Sequence, residues 1–171
     1  MTRFLVLRWR FSFILQYTLC TRLWFHTWPS LRSLWKHFQK PHLARLVPDF
    51  EKRGVKVIAI SSDNKERTDQ MAEKLNAPAL RMGYGLNLDV ARQWGLYIST
   101  SRGLTSIGIE EPVLFSEPAV YIVRPDTTLY YGAVQTMPFA RPNFADLLGA
   151  IDFALAKNYP ARGEYTGSVS G

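Results

Sequence analysis

Cys20 is the sole thiol in a chain of 171 residues. A thiol becomes a nucleophile when it ionises, and nearby cations or a helix N-terminus favour the thiolate. Cys20 directly follows the strand-like run Phe11 to Leu19, as a nucleophile at a strand-to-helix turn should, and Arg22 would supply a favourable field. Trp28-Pro29 interrupts the helix that ought to come next, because proline breaks the backbone ladder. The alternative is a buried or incidental thiol. One cysteine excludes an intrachain disulfide and gives no sign of an oxidising compartment, so the default location is cytoplasmic.

The other residue types that carry chemistry offer less. His26, His37 and His42 have no acid close in sequence, and His37 with His42 misses the spacing of a metal-binding pair, so no metal site is expected. Gly83-Tyr84-Gly85 is too short for a nucleotide loop and no G-x-x-x-x-G-K run exists, so nothing calls for a cofactor.

The formal charge of +7 is confined to one end of the chain. Arg3, Arg8, Arg10, Arg22, Arg32, Lys36 and Lys40 precede the first acid, Asp49, and beyond residue 40 bases and acids balance. Trp9, Trp24, Trp28 and Trp35 lie in the same stretch. A basic, aromatic segment suits a membrane surface, an organelle presequence or nucleic acid. The apolar stretch between Arg10 and Arg22 is far short of the roughly 20 residues that a membrane span needs. No small-residue cleavage site and no nucleic-acid motif accompany it, so neither nucleic acid nor membrane contact through residues 1–40 is expected. The shift in composition reads as a non-native N-terminus, a misread start or a shifted frame, ahead of a genuine domain.

That domain has a legible order of elements. Leu46, Val47 and Phe50 repeat at helical spacing until Gly54 stops the helix. Val55 to Ile60 then forms a nearly continuous apolar run, as expected of a central parallel strand covered on both faces. Asp63 with Glu66 reads as a reciprocal capping box opening a helix to about Leu75. A short helix, Leu88 to Trp94, is expected between Asn87 and Gly95, with Val90, Ala91 and Trp94 facing inward. Thr100 to Glu117 reads as a long loop, of the kind usually functional or inserted. Ala119 to Val123 and Leu129 to Val134 form a hairpin around Pro125-Asp126, and Pro142-Asn143 open a last amphipathic helix. The expected organisation is an atypical segment over 1–40, an α/β domain over 41–160 and a flexible Gly- and Ser-rich tail over 161–171.

Particular stretches add a resemblance. Pro48-Asp49-Phe50-Glu51-Lys52-Arg53-Gly54-Val55, Ile58-Ala59-Ile60-Ser61-Ser62-Asp63, Trp94-Gly95-Leu96-Tyr97-Ile98-Ser99, Gln135-Thr136-Met137-Pro138-Phe139-Ala140-Arg141-Pro142 and Tyr159-Pro160-Ala161-Arg162-Gly163-Glu164 resemble the peroxiredoxin-like family related to alkyl hydroperoxide reductases and thiol-specific antioxidants. The resemblance implies a thioredoxin-like α/β fold, a central mixed sheet flanked by helices with a peroxiredoxin-type insertion, whose first strand is Phe11 to Leu19. It also implies a thiol peroxidase or related oxidoreductase acting on a peroxide with a thiol reductant, and it allows a homodimer.

In that family a Cys-Pro-x-Cys type motif begins the first helix, and its place here, thirteen residues before Leu46, is taken by Ser33 in Arg32-Ser33-Leu34-Trp35. Serine can fill the space and cap the helix, but it has no sulfenic state. The resemblance therefore implies an inactive relative, or a non-catalytic thioredoxin-fold module, unless Cys20 serves. Cys20 lies thirteen residues too far from Leu46 for the motif. By position, Pro118 matches the proline held in cis beside the active thiol, the alternative being a trans proline leading into a strand. Arg141 matches the arginine that flanks the peroxide site, the alternative being a surface arginine near the last helix.

Overall fold

The apolar run after Gly54 forms the strand that organises the domain. In the computed structural model, which describes residues 11–16, 40–76, 78–104, 110–136 and 142–169, strand β2 is Val55–Ile60. It is flanked by β1, Phe11–Gln16, and β3, Arg81–Gly83, both parallel to it. β1 pairs on its other side with β6, Ala119–Val123, which is antiparallel and continues through a hairpin to β7, Leu129–Val134. The resulting five-stranded mixed sheet has the order β3-β2-β1-β6-β7. The first strand therefore lies within the expected run, and the hairpin is as expected.

Helix α1, Lys40–Lys52, buries Leu43, Val47 and Phe50, a single stripe at helical spacing. Pro48 lies inside it on the exposed side, where the missing backbone donor is offset by the buried neighbours at 47 and 50. Gly54, at φ 73°, takes the left-handed conformation that ends the helix and lets the chain turn into β2. Helix α4, Phe144–Lys157, lies beside α1 and buries Phe144, Leu147, Leu148 and Ile151. Asn143 caps it by accepting from the Ala145 N–H at 3.0 Å.

Alternation along the strands sorts the core into two faces. Val55, Val57 and Ala59 of β2, with Val120 and Ile122 of β6, join α1 and α4 in the larger cluster. Ala119 and Tyr121 point the other way and meet Ala91 and Leu96 beside helix α3, Leu88–Gln93. The Tyr121 hydroxyl donates to the Trp94 carbonyl at 2.5 Å, and the two rings meet edge to face. Trp94 itself is exposed rather than buried, because the helix ends one residue earlier and Tyr121 takes the inner position.

Two further expectations are corrected. Helix α2, Lys65–Leu75, is capped by Asn64, which accepts from the Arg67 N–H at 3.0 Å, and not by Asp63. Asp63 is drawn inward instead, where the Ser61 hydroxyl donates to its carboxylate at 2.8 Å and its backbone carbonyl accepts from the Gly85 N–H. The stretch read as a loop over Thr100 to Glu117 contains β5, Leu114–Ser116, which pairs antiparallel with β4, Ile98–Thr100, in a separate two-stranded arm. No described helix is long and apolar enough to cross a membrane. After Lys157 no helix or strand follows among the described residues.

Candidate active site

Strand direction decides where chemistry can sit. β1 and β2 are parallel, so both carboxyl ends lie at one edge of the sheet, with Gln16 beside Ile60. β6 begins and β7 ends at the same edge, where Gln16 pairs with Ala119 and Ala119 with Val134. In α/β proteins the edge beyond the carboxyl ends of parallel strands is where ligands are bound.

One residue further on, the pleat places Ser61, Pro118 and Gln135 on the face shared by α1 and α4. Ser61 continues the alternation of Val57 and Ala59, and Pro118 that of Val120. Gln135 joins the row because its N–H donates to the Pro118 carbonyl at 3.1 Å, extending the β6–β7 ladder by one pair. Since α1 ends just before β2 begins, the helix runs back along the sheet, and its N-terminal end is directed at this edge. About 1.5 Å of rise for each of the 13 residues of α1 matches about 3.3 Å for each of the six of β2, so the two are of one length. α4 starts from the same edge, after β7. Two helix N-termini thus lend positive potential to one corner of the sheet.

Within this frame Pro118 is buried. Its peptide bond is trans, which corrects the cis expectation. The chain is held extended on both sides: the Glu117 N–H donates to the Tyr97 carbonyl at 2.7 Å and the Pro118 carbonyl accepts from Gln135. Cys20, Ser33 and Arg141 lie outside the described residues.

Sequence reading missed three features of this corner. The Ser61 hydroxyl and Asp63 carboxylate form a buried pair, with Arg67 Nη1 4.0 Å from the second carboxylate oxygen. Ser116, wholly buried, donates its hydroxyl to Ser62 at 3.3 Å and so ties the β4–β5 arm to the turn after β2. Gln135 carries a buried side-chain oxygen, Oε1, that accepts no hydrogen bond among the described residues. The short polar run Ser61-Ser62-Asp63 directly after a buried strand was a signal for the first; a lone glutamine or serine gives none. Among the described residues no group of three His, Cys, Asp or Glu side chains could hold a metal ion.

Comparison with known proteins places this geometry. The model of the AhpC/TSA family matches residues 36–132. A search of the curated proteins finds no match. Among solved structures, a cysteine-to-serine variant of peroxiredoxin 6 of Arenicola marina is similar at 21% identity and TM-score 0.57, over 90% of this chain and 67% of that one. Reduced Prx3 from Vibrio vulnificus is similar at 14% identity and TM-score 0.58, over 84% and 81%. The mitochondrial 2-Cys peroxiredoxin of Plasmodium falciparum is similar at 16% and 0.55, over 92% and 82%. At these identities the likeness is one of fold, and the match to the family model completes it: the chain belongs to the AhpC/TSA family and has the thioredoxin-like fold of the peroxiredoxins.

Proposed function

We propose that this chain is a peroxiredoxin-like thiol-peroxidase relative whose peroxide chemistry is impaired, because Ser33 stands where the nucleophilic cysteine belongs. The observation that carries the reading is the sequence Arg32-Ser33-Leu34-Trp35, thirteen residues ahead of Leu46, in a chain with one thiol elsewhere. In the family's reaction a thiolate attacks one peroxide oxygen, the O–O bond breaks, sulfur becomes a sulfenic acid and the other oxygen leaves as an alcohol or water. A thiol reductant then returns the sulfur through a disulfide. A serine oxygen cannot take the first step, whereas the sheet edge, Pro118 and the converging helix ends are the setting that step uses. Arg141 is proposed to stabilise the thiolate and the departing oxygen there. No cofactor enters the reaction, and a second copy of the chain is the proposed partner. The second reading, a non-catalytic thioredoxin-fold module, is favoured by the capacity of the serine hydroxyl to cap the helix.

The test is peroxide consumption with dithiothreitol as reductant, run on the native chain, Cys20→Ser and Ser33→Cys. Negligible turnover in the first two and a gain in Ser33→Cys is the expected result. Native turnover that disappears in Cys20→Ser would make Cys20 the nucleophile and overturn the assignment to Ser33.

A further inference from the structure

The Oε1 of Gln135 is buried at the carboxyl edge of the sheet, and no hydrogen-bond donor among the described residues reaches it. Native proteins rarely leave such an acceptor unmet, and one that persists usually awaits a water or a ligand. Its place in the fold favours a ligand. The N–H of the same residue is fixed to the Pro118 carbonyl, so the backbone at 135 is held in the sheet ladder. Alternation from Val134, which packs on the opposite face, sets Gln135 on the α1 face in one row with Pro118 and Ser61. Among the described members of that row, the Ser61 hydroxyl donates to the Asp63 carboxylate and accepts from the Asp63 N–H, and the Pro118 carbonyl accepts from the Gln135 N–H, whereas the Gln135 carboxamide oxygen is unmet.

We infer that Gln135 is a ligand-binding residue whose Oε1 accepts a hydrogen bond from the O–H of a small hydroperoxide or of the alcohol that its reduction yields. The inference rests on the proposed placement of the peroxide site at this edge. An amide oxygen discriminates such ligands by their O–H donor, since an ether or a hydrocarbon of equal size would leave it unmet. Gln135→Leu removes the acceptor, and Gln135→Glu keeps one of similar size.

Binding is read without turnover, by NMR on the 15N-labelled Cys20→Ser chain, which has no thiol to oxidise. The side-chain amide pair of Gln135 is identified by its absence from the Gln135→Leu spectrum. Hydrogen peroxide and tert-butyl alcohol are titrated separately. A saturable shift of that pair alone is expected, and the stronger of the two titrations names the ligand as peroxide or alcohol. No shift with either, or a shift shared by the other glutamines, overturns the inference. In parallel, Gln135→Leu is expected to melt at a higher temperature than the native chain, because it replaces an unmet acceptor by an apolar group; an unchanged or lower midpoint would place Gln135 in structural service only. If Ser33→Cys gains turnover, adding Gln135→Leu should raise KM about tenfold with little change in kcat. A saturable shift without turnover in Ser33→Cys keeps the binding assignment and removes that of the nucleophile.

Discussion

Arg53 holds both carboxylate oxygens of Asp152, from Nε at 2.6 Å and from Nη2 at 2.7 Å, although the two residues are 99 positions apart. The pair fastens the end of α1 to α4, the two helices that cover the larger core face and direct their N-termini at the candidate site. Arg53 Nη1 also donates to the Asp49 carbonyl at 2.8 Å, so the guanidinium closes the last turn of α1 as well. The hydrogen bond from Arg53 holds the Asp152 carboxyl below its usual range, and Asp152 in turn raises Arg53.

A carboxylate with a depressed folded-state pKa stabilises the fold above its unfolded pKa, and the contribution disappears as pH falls through the folded value. Asp152→Asn should therefore flatten the acid limb of the stability profile while lowering the thermal midpoint at neutral pH by at most a few degrees, since the pair is largely solvated. Thermal unfolding at a series of pH values between neutrality and acid checks this. Superimposable acid limbs for the two proteins would show that the pair contributes nothing.

The shift of the α2 cap by one residue is open to direct comparison. Asn64→Ala removes the oxygen that accepts from Arg67 and should cost about 1 kcal/mol. Asp63→Ala should cost more, because it strands the buried Ser61 hydroxyl as well. Urea unfolding of both variants measures the order, and equal losses would argue that Asp63 acts as no more than a second cap.

Burial raises the hydroxyls of Tyr121 and Tyr131 above their ordinary value. For such groups the unfolded chain ionises first, so stability is intact below about pH 10, the pKa of a free tyrosine, and is lost as pH climbs toward the folded-state values. The double variant Tyr121→Phe with Tyr131→Phe should be less stable at neutral pH, where the Tyr121 bond to Trp94 is lost, yet lose less on going to alkaline pH. Denaturation midpoints at pH 8 and near pH 10.5 provide the readout. Parallel declines in the two proteins would mean that neither phenol is linked to unfolding.

What could be read from the sequence divides along physical lines. The Val55 to Ile60 run announced itself because a strand covered on both faces needs apolar residues at nearly every position, and α4 because its core stripe repeats over four turns. The β4–β5 arm did not, since strands of three residues, Ile98–Thr100 and Leu114–Ser116, are too short to establish a period. Asp63 and Asn64 are both good caps, and the choice between them was made by a tertiary contact, the Ser61 hydroxyl, that local pattern does not contain. Pro118 lies at the carboxyl edge of the sheet with a trans bond where a cis one is expected, because the extended path set by Tyr97 and Gln135 belongs to partners distant in sequence. Gln135 lies in the stretch Gln135 to Pro142 that carries the resemblance, where a lone glutamine gives no signal, and the row it shares with Pro118 distinguishes it.

β1 is the middle of five strands, and it is the shared partner of β2 on one side and β6 on the other. The two halves of the sheet, β3-β2 and β6-β7, are consequently joined through six residues drawn from the part of the chain whose composition departs most from the rest. Those pairings are remote: Phe11 meets Val55, and Gln16 meets Ala119. Contacts of such long sequence separation form late and slowly, since the loops they close must be ordered first. Until the keystone strand is inserted, β2 and β6 each present a naked, unpaired edge, and such edges invite pairing with other chains. Any alteration of Phe11–Gln16 would thus be felt less as a change at the site than as a failure of assembly, with two half-sheets seeking partners in other molecules.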